Sequence, residues 1–318
     1  MSGQPLVALT GGTGFLGRHT AAALAAAGWQ VRMLVRDVGR AGDTAAEAVP
    51  GDLSDPAALR RLVEGAGAVV HLAGLTKARG PAEFMAVNRD GSARLAEAVA
   101  NAAPEARLVI LSSLAAREPG LSPYAASKRA GEEAAIAALG PAGRWVVLRP
   151  TVIYGPGDRE GLALRRLATS VIVPAPRAPE PRITMVHARD VASAIATLCV
   201  SGPLGGVFEV TDARYAGHGW RELLGRIAAA LGKRPRFVGV PDGAMLAAGA
   251  AADALARVTG RGGIFGLGKA REILHRDWSS SPARQLPGLV WTPRIGFEEG
   301  LRDTLDWWAS LDRKLPRG

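Results

Sequence analysis

Cysteine is almost absent from this chain of 318 residues, and its scarcity excludes whole classes of chemistry. The one cysteine, Cys199, has no partner for an internal disulfide and cannot build a cysteine-based metal site. Its place in the apolar stretch 194–200 predicts a small, buried core residue. We therefore expect neither a disulfide framework nor a bound metal.

Long apolar runs are also missing. No stretch of about 18 apolar residues occurs, so the sequence predicts no transmembrane segment. The nearest approach is 244–258, which Asp253 interrupts and which predicts a helix, either lipid-facing or packed on the second domain. Its polar face is weak for an interfacial helix, which favours the packed helix. The N-terminus lacks the basic start and apolar stretch of a signal peptide, which predicts a cytoplasmic protein. Peripheral contact with a membrane stays open.

The chain has no concentrated run of basic residues, although its formal net charge is +10. Lysines and arginines are scattered among acids, and no basic run alternates with aromatic residues as in nucleic-acid grooves. We therefore expect no nucleic-acid partner and a small-molecule substrate instead. A hydrophobic share of 48% and the absence of an internal repeat indicate a globular protein.

The first half alternates short β-branched runs with alanine-rich stretches, a pattern typical of a parallel sheet with helices on both faces. Near-continuous apolar character at 6–9 and 108–111 indicates strands buried on both faces. The predicted strands are Leu6–Thr10, Gln30–Val35, Ala48–Pro50, Ala68–Leu72, Leu108–Leu111 and Trp145–Leu148. The predicted helices between them are Leu16–Ala27, Pro56–Glu64, Phe84–Ala102 and Tyr124–Leu139. The sequence therefore predicts an α/β fold, a Rossmann-like doubly wound parallel sheet.

The pattern changes after Pro150, and a proline-rich stretch at 174–181 indicates a break in the sheet domain. A strand at 182–187, a helix at 188–198 and a strand at 207–210 predict that the sheet domain then takes back a piece of chain. We predict a cofactor-binding Rossmann domain formed by residues 1–157 and about 182–216. Residues from about 158–181 and 217–318 would form a smaller, mostly helical substrate domain.

A glycine-rich turn follows the first predicted strand. Residues 10–17 read Thr-Gly-Gly-Thr-Gly-Phe-Leu-Gly and lead directly into a predicted helix. Glycines at this spacing turn tightly and bring backbone amides close to a pyrophosphate, which the positive end of the helix dipole then faces. The turn therefore predicts a dinucleotide site formed by Gly11, Thr13, Gly14, Phe15, Leu16 and Gly17.

An arginine stands after the second predicted strand, where an acidic residue would bind the ribose 2′-hydroxyl of NAD. Arg36, with Arg40 close behind, suits the 2′-phosphate of NADP, so we expect NADP(H) to be favoured over NAD(H). Asp37 keeps NAD open, since a shift of one residue would restore an acid. Asp52, followed by Leu53, is a candidate acceptor for the adenine amino group, or belongs to the capping region of the next helix.

Tyr124 and Lys128 open a predicted helix at a spacing that puts the phenol and the ammonium on one face. A phenol is a weak acid near neutral pH, and a neighbouring cation favours its phenolate. Tyr124 is therefore the candidate to give a proton to a carbonyl oxygen, or to take one from an alcohol. Ser113 would hydrogen-bond to the same oxygen, with Ser112 as the alternative.

Together these motifs resemble the extended short-chain dehydrogenase/reductase family, the NAD-dependent epimerase/dehydratase superfamily. The resemblance rests on Thr10–Gly17, Val70–Gly74, Tyr124–Lys128 and Arg149–Pro156, and continues at Val186–Ala192 and in the terminal region from Trp291. It implies that Lys128 also binds the nicotinamide ribose and that Asn88 supports the site. It further implies cofactor contacts from Leu72, Ala73, Gly74, Ser112, Tyr124, Pro150, Thr151 and Val152. A homodimer through the helices at 84–102 and 124–139 also stays open.

Three functions compete. The first is an NADP(H)-dependent reductase of a carbonyl, or dehydrogenase of an alcohol, on an apolar or lipid-like substrate; apolar helices in the second half motivate it, with Trp278 and Trp291 as candidate pocket residues. The second is a nucleotide-sugar epimerase with tightly bound NAD, in which Arg165, Arg166, Arg182 and Arg221 would bind the diphosphate. The third is a non-catalytic assembly subunit that keeps its cofactor. The short link from Ser113 to Tyr124 favours the reductase branches of the family.

Overall fold

The computed structural model describes residues 4–40, 46–259 and 265–314, and the chain divides into two compact units. Unit 1 contains Met1–Pro150, Arg189–Val210 and Gln285–Thr292. Unit 2 contains Thr151–Ala188, Thr211–Arg284 and Pro293–Gly318. The units differ from the predicted domains in four places: 151–157, 182–188 and 211–216 fall in unit 2, and 285–292 falls in unit 1. Because the units are defined by contacts and the domains by what they bind, the assignment of cofactor and substrate domains stays a prediction.

The first 150 residues alternate strands and helices. Their strands are β1 (Leu6–Thr10), β2 (Gln30–Val35), β3 (Glu47–Pro50), β4 (Ala68–His71), β5 (Arg107–Leu111) and β6 (Trp145–Pro150). Their helices are α1 (Phe15–Ala26), α2 (Pro56–Val63), α3 (Pro81–Phe84), α4 (Gly91–Ala102) and α5 (Pro123–Leu139).

The remainder contains shorter strands and longer helices. Its strands are β7 (Val152–Tyr154), β8 (Ile172–Pro176), β9 (Arg182–Ile183), β10 (Met185–His187), β11 (Gly206–Val210), β12 (His218–Gly219), β13 (Arg236–Val240) and β14 (Asp277–Trp278). Its helices are α6 (Gly161–Ala168), α7 (Ala188–Val200), α8 (Trp220–Ala230), α9 (Asp242–Thr259), α10 (Leu267–Leu274) and α11 (Phe297–Lys314).

Unit 1 is organised around a seven-stranded parallel sheet in the order β11-β6-β5-β4-β1-β2-β3. Strands β2 and β3 are added on one side of β1, and β4 to β6 are added on its other side. The reversal lies between β1 and β4, and doubly wound folds bind nucleotides at this switch point. Leu9, Val70 and Val109 in its central strands are fully buried, because helices cover both faces. The predicted Rossmann-like fold is therefore confirmed, including the returning strand at 207–210, which pairs with β6.

One predicted helix is wrong in detail. The segment 84–102 is not a single α-helix: a π-helical stretch, Met85–Asp90, separates α3 from α4. Widened turns of this kind arise where tertiary contacts compete with the regular hydrogen-bond ladder, often at functional sites. Here α5 approaches so closely that a Cβ on Gly131 would lie 2.3 Å from the carbonyl oxygen of Asn88. The predicted strand 182–187 likewise divides into β9 and β10 at Thr184, whose hydroxyl donates to the carbonyl of Trp278.

Unit 2 packs its core around α8 and α11, with Leu223, Leu224 and Trp308 among the buried residues. The helix expected over 244–258 forms as α9 and packs on α10 through Gly249 and Asp253, while its alanine-rich opposite side is exposed. Trp291 lies in unit 1, where its indole Nε1 donates to Ser193 Oγ at 2.8 Å. Among the described residues, no helix combines the length and the apolar character needed to cross a bilayer.

Candidate active site

The glycine turn after β1 is shaped by close backbone contacts. Gly11 has φ +73°, and a Cβ there would lie 2.7 Å from the amide nitrogen of Ala73 at the end of β4. A Cβ on Gly17 would come within 2.1 Å of the carbonyl oxygen of Gly11. Any side chain at either position would collide with backbone, so the turn keeps the space that a pyrophosphate needs next to it.

The first turn of α1 offers backbone amides as hydrogen-bond donors. Gly14 occupies the N-cap without a side-chain hydrogen bond, and no acidic residue lies in the first turn, which begins Phe15-Leu16-Gly17. The amides that open a helix have no partner within it, and they carry the positive end of its dipole. Thr13 is half-buried in the turn itself. These residues therefore fit the phosphates of a dinucleotide.

The predicted cofactor-selecting residues lie at the ends of β2 and β3. Arg36 is exposed, whereas the carboxylate of Asp37 accepts from the amide of Gly39 at 3.0 Å and is held in a local turn. Asp52 accepts from the hydroxyl and the amide of Ser54, and these hydrogen bonds lower its pKa, with Arg36 and Arg94 contributing through their charges.

The flanking residues settle two smaller points. Asp55 is the N-cap of α2 and accepts from Ala58 N at 3.0 Å, so Asp52 lies just before the capped start of this helix. Leu53 packs on α4, where a Cβ on Gly91 would meet its side chain at 2.8 Å. Arg40 falls in a short 3₁₀ turn, and its side chain lies outside the described part of the structure.

Tyr124 and Lys128 are placed by the capped start of α5. Ser122 is the N-cap, its Oγ accepting from Ala125 N at 3.0 Å, and Pro123 follows in the first turn. The ring of Tyr124 lies 6.0 Å from that of Phe84 in a tilted arrangement. This start fixes the register of the helix, so both side chains leave it one turn apart on the same face.

Lys128 is anchored rather than free. Its Nζ donates to the carbonyl oxygen of Leu111 at 2.7 Å, at the end of β5. Burial lowers the pKa of Lys128 to about 8, while the charge of Glu132 opposes that shift. A Cβ built on Gly74 would lie 3.8 Å from Nζ, so the ends of β4 and β5 and the face of α5 meet at this amine.

Ser112 and Ser113 follow β5 in two different environments. Ser113 Oγ accepts from Ala115 N at 3.2 Å and caps a 3₁₀ turn, which leaves its hydroxyl hydrogen available to donate. Ser112 Oγ is buried with no hydrogen-bond partner among the described residues. Buried hydroxyls are normally paired, so Ser112 is a position where a bound group would supply the missing partner.

Asn88 joins three parts of this region. Its amide nitrogen donates to Ser127 Oγ at 2.9 Å and to Leu75 O at 3.0 Å, and its Oδ1 accepts from Leu75 N at 2.7 Å. Ser127 Oγ in turn donates to the carbonyl of Tyr124 at 2.8 Å. Asn88 therefore clamps the loop after β4 to the first turn of α5. Ser127 was not among the predicted site residues, because nothing in its local sequence marks it.

A buried histidine ties the glycine turn to the same clamp. His71 lies between Thr10 Oγ1 at 2.8 Å and Ser92 Oγ at 2.9 Å, and Ser92 donates to the carbonyl of Asn88. Burial, with a smaller contribution from Lys128, lowers the pKa of His71 to about 3. A neutral imidazole thus bridges β1 and α4. Leu72 and Ala73 follow directly, and the amide of Ala73 donates to Thr10 Oγ1 at 3.2 Å.

A buried ion pair joins α5 to β6. The Arg149 guanidinium in β6 makes two hydrogen bonds, of 2.9 and 2.6 Å, to the carboxylate of Glu132, one turn beyond Lys128. Burial alone would lower the pKa of Arg149, but its hydrogen bond to Glu132 and the charge of that carboxylate raise it. The pair was not predicted, because it joins two elements through residues with no recognisable spacing.

The remaining predicted cofactor residues fall on both sides of the boundary between the units. Pro150 ends β6 in unit 1, whereas Thr151 and Val152 begin unit 2. Thr151 Oγ1 is buried without a hydrogen-bond partner among the described residues, and Val152 is exposed. Their contact with a nicotinamide stays a prediction.

Comparison with known proteins gives a consistent result. The family model described as the NAD dependent epimerase/dehydratase family matches residues 7–210. The chain is 44% identical over 310 residues to a ceramide reductase of Caulobacter vibrioides, covering 96% of this chain and 95% of that protein. Curated relatives of the chain are thus reductases and dehydrogenases.

Solved structures agree on the fold. The dTDP-glucose 4,6-dehydratase of Bacillus anthracis, solved with NAD, superposes with a TM-score of 0.74 at 18% identity and 98% coverage of both chains. The UDP-glucose 4-epimerase of Thermus thermophilus, also solved with NAD, has a TM-score of 0.68 at 25% identity, covering 96% of this chain and 99% of that one.

Proposed function

Since this chain belongs to the NAD-dependent epimerase/dehydratase family and is an NAD(P)-dependent oxidoreductase, we propose that it uses NADPH to reduce a ketone on a long-chain, ceramide-type lipid. The observation that carries the chemistry is the anchored Lys128, one turn from Tyr124 and bonded to the end of β5. The substrate class rests on the 44% identity to a ceramide reductase along almost the whole of both chains.

In this proposal Tyr124 protonates the carbonyl oxygen of the substrate while Ser113 donates a hydrogen bond to it. Bound NADPH would supply the hydride for the carbonyl carbon. Lys128, held on Leu111 O, favours the phenolate that remains after the proton has left Tyr124. Asn88 and Ser127 keep the first turn of α5 in place throughout.

The catalytic assignment is tested with Tyr124→Phe. We expect NADPH oxidation with a long-chain keto-ceramide in detergent micelles to fall by about 10²–10⁴ in kcat, the range for loss of a positioned acid. Tyr215→Phe, a tyrosine in unit 2, is the matched control and should keep wild-type kcat. Undiminished turnover in Tyr124→Phe would overturn the assignment.

The preference for NADP rests on Arg36, which is exposed and forms no ion pair within the described ranges. The carboxylate of Asp37 accepts a hydrogen bond from the amide of Gly39. We expect Arg36→Gln to raise KM for NADPH about 10- to 100-fold and to leave KM for NADH nearly unchanged, since the lost contact is a charge-assisted bond to the 2′-phosphate. Arg236→Gln, an exposed arginine in β13, serves as the control. An unchanged ratio of the two KM values contradicts the preference.

The arginines that would bind a diphosphate in the epimerase alternative mostly have protein partners, which weakens that alternative. Arg165 is paired with Asp312 and Arg221 with Glu180, while Arg182 donates to the backbone carbonyls of Ala216 and Gly217. Three of the four arginines thus have protein partners already, and a diphosphate would have to displace them. The third alternative, a non-catalytic subunit, is set aside because the chain is an enzyme of this family.

A further inference from the structure

A buried histidine at the end of β4 uses both of its ring nitrogens. His71 is 3% exposed, its Nδ1 lies 2.8 Å from Thr10 Oγ1 in β1, and its Nε2 lies 2.9 Å from Ser92 Oγ in α4. Burial lowers the pKa of His71 to about 3, so the ring is neutral and has one donor and one acceptor. The ring takes no part in the proton transfer proposed above.

The hydrogen bonds around this ring have one possible direction. Ser92 Oγ donates its only hydrogen to the carbonyl oxygen of Asn88 at 2.6 Å, so toward His71 it can only accept. Nε2 therefore carries the proton of the ring, and Nδ1 accepts from the hydroxyl of Thr10. The oxygen of Thr10 in turn accepts from the amide of Ala73 at 3.2 Å. Every bond thus donates in the same direction, from Ala73 to Asn88.

The first end of this chain of bonds lies at the glycine turn. Thr10 immediately precedes Gly11, and a Cβ on Gly11 would lie 2.7 Å from the amide nitrogen of Ala73. The bond from Ala73 to Thr10 therefore holds the ends of β1 and β4 together at the switch point, where doubly wound folds bind a dinucleotide.

The second end lies against α5. A Cβ on Gly131 would be 2.3 Å from the carbonyl oxygen of Asn88 and 3.4 Å from Ser92 Oγ, so α5 packs directly on these two atoms. The side chain of Asn88 donates to Ser127 Oγ, which donates to the carbonyl of Tyr124. The residue on which the chain of bonds ends is thus the residue that holds the first turn of α5.

We propose that His71 is a positioning residue that couples the glycine turn to α5, so that the placement of Tyr124 depends on the dinucleotide bound at the turn. An apolar side chain of similar size would fill the same space without a bond to either end. A satisfied buried network is rigid, so a shift of Thr10 reaches Ser92 through the ring. The idea rests on the proposed function in one respect: Tyr124 is the proton donor whose placement matters.

Hydrogen exchange of the full chain, with and without saturating NADP⁺, tests the coupling without any substrate. The amides of 85–92 are not among the predicted cofactor contacts, so a change of exchange there reports the coupling. We expect NADP⁺ to slow their exchange about tenfold in the wild type and to have little effect on it in His71→Phe or Ser92→Ala. The glycine turn should be protected in all three proteins. Equal protection of 85–92 in wild type and Ser92→Ala, or none in wild type, overturns the proposal.

The kinetic test compares Ser92→Ala with Ser92→Thr, which keeps the hydroxyl. We expect Ser92→Ala to lower kcat about tenfold while KM for NADPH stays within about twofold, because the glycine turn keeps its own bonds; Ser92→Thr should keep wild-type kcat. Thr304→Val is the matched control, since the buried hydroxyl of Thr304 donates to the carbonyl four residues earlier in α11, at 2.7 Å. Wild-type kcat in Ser92→Ala, or an equal fall in Thr304→Val, overturns the proposal.

The proposed function fails separately. A wild type that protects 85–92 on binding NADP⁺ but turns over no long-chain ketone removes the substrate class alone. Turnover in the wild type, with the same protection of 85–92 in Ser92→Ala, removes the coupling alone. Ser92→Ala decides the matter if His71→Phe is unfolded by circular dichroism, because it removes a single hydroxyl.

Discussion

One ion pair of unit 1 differs sharply in burial from two ion pairs of unit 2. In unit 1 the Glu132–Arg149 pair is almost completely buried and lies one turn from Lys128, so its geometry bears on the reaction. In unit 2 the ion pairs Arg165–Asp312 and Arg226–Glu298 are partly exposed. The Glu132–Arg149 pair thus fixes an internal position, whereas the pairs of Arg165 and Arg226 lie where solvent screens them.

The sharpest way to break this comparison is to remove one arginine from each kind of pair. Arg149→Met leaves Glu132 buried without a partner, and we expect the free energy of unfolding to fall by about 3–5 kcal/mol. Arg165→Met removes a surface partner of Asp312 and should cost at most about 1 kcal/mol. Urea titration of both variants measures the difference.

A control separates the charge from the packing of Arg149. The double variant Glu132→Gln/Arg149→Met removes both charges, so it should be less destabilised than Arg149→Met alone. Equal costs for Arg149→Met and Arg165→Met would show that burial does not distinguish the pairs.

The second prediction concerns uncharged clamps. Asn88→Ala removes three hydrogen bonds in a buried place, and we expect a loss of about 2–3 kcal/mol because the polar groups of Leu75 and Ser127 stay desolvated. If Asn88 positions α5, kcat should fall while KM for NADPH changes little. Asp253→Ala in unit 2 frees a single amide at the start of α10 and should cost about 1 kcal/mol, with kcat in detergent unchanged. A fall in stability alone, without a fall in kcat, would make Asn88 a structural residue only.

The units also differ in how far the sequence predicts them. The strands β1 and β2 have the predicted bounds. In β1 this is because burial on both faces requires a near-continuous apolar run, which the sequence shows. The π-helical stretch at 85–90 could not be predicted, since it depends on Asn88 reaching Leu75 and Ser127 in the folded chain. For α9 the sequence predicted the helix but not its exposure, because an alanine-rich helix has the same composition whether it is packed or exposed.

The site residues follow the same division. Gly11, Gly17, Tyr124 and Lys128 stand at spacings that carry a mechanism, and the fold brings their elements to one edge of the sheet. The Glu132–Arg149 pair has no such signal, since its members come from a helix and a strand whose pairing is set only by tertiary packing. Sequence patterns thus predict the groups that react better than the groups that hold them.

The last difference between the units is the pH response that the buried amine of Lys128 gives to unit 1. Burial lowers the pKa of Lys128 to about 8 from a usual value of 10.5, so between these values the folded chain holds fewer protons than the unfolded one. The free energy of unfolding should therefore rise with pH across this window relative to Lys128→Met. Over the same window kcat/KM for reduction should fall, to about a tenth one pH unit above the pKa, as the ammonium beside Tyr124 is lost. Lys233→Met, at an exposed lysine of unit 2, should reproduce the wild-type profile, and a wild-type profile that stays flat from pH 7 to about 10 would remove Lys128 from the proton chemistry.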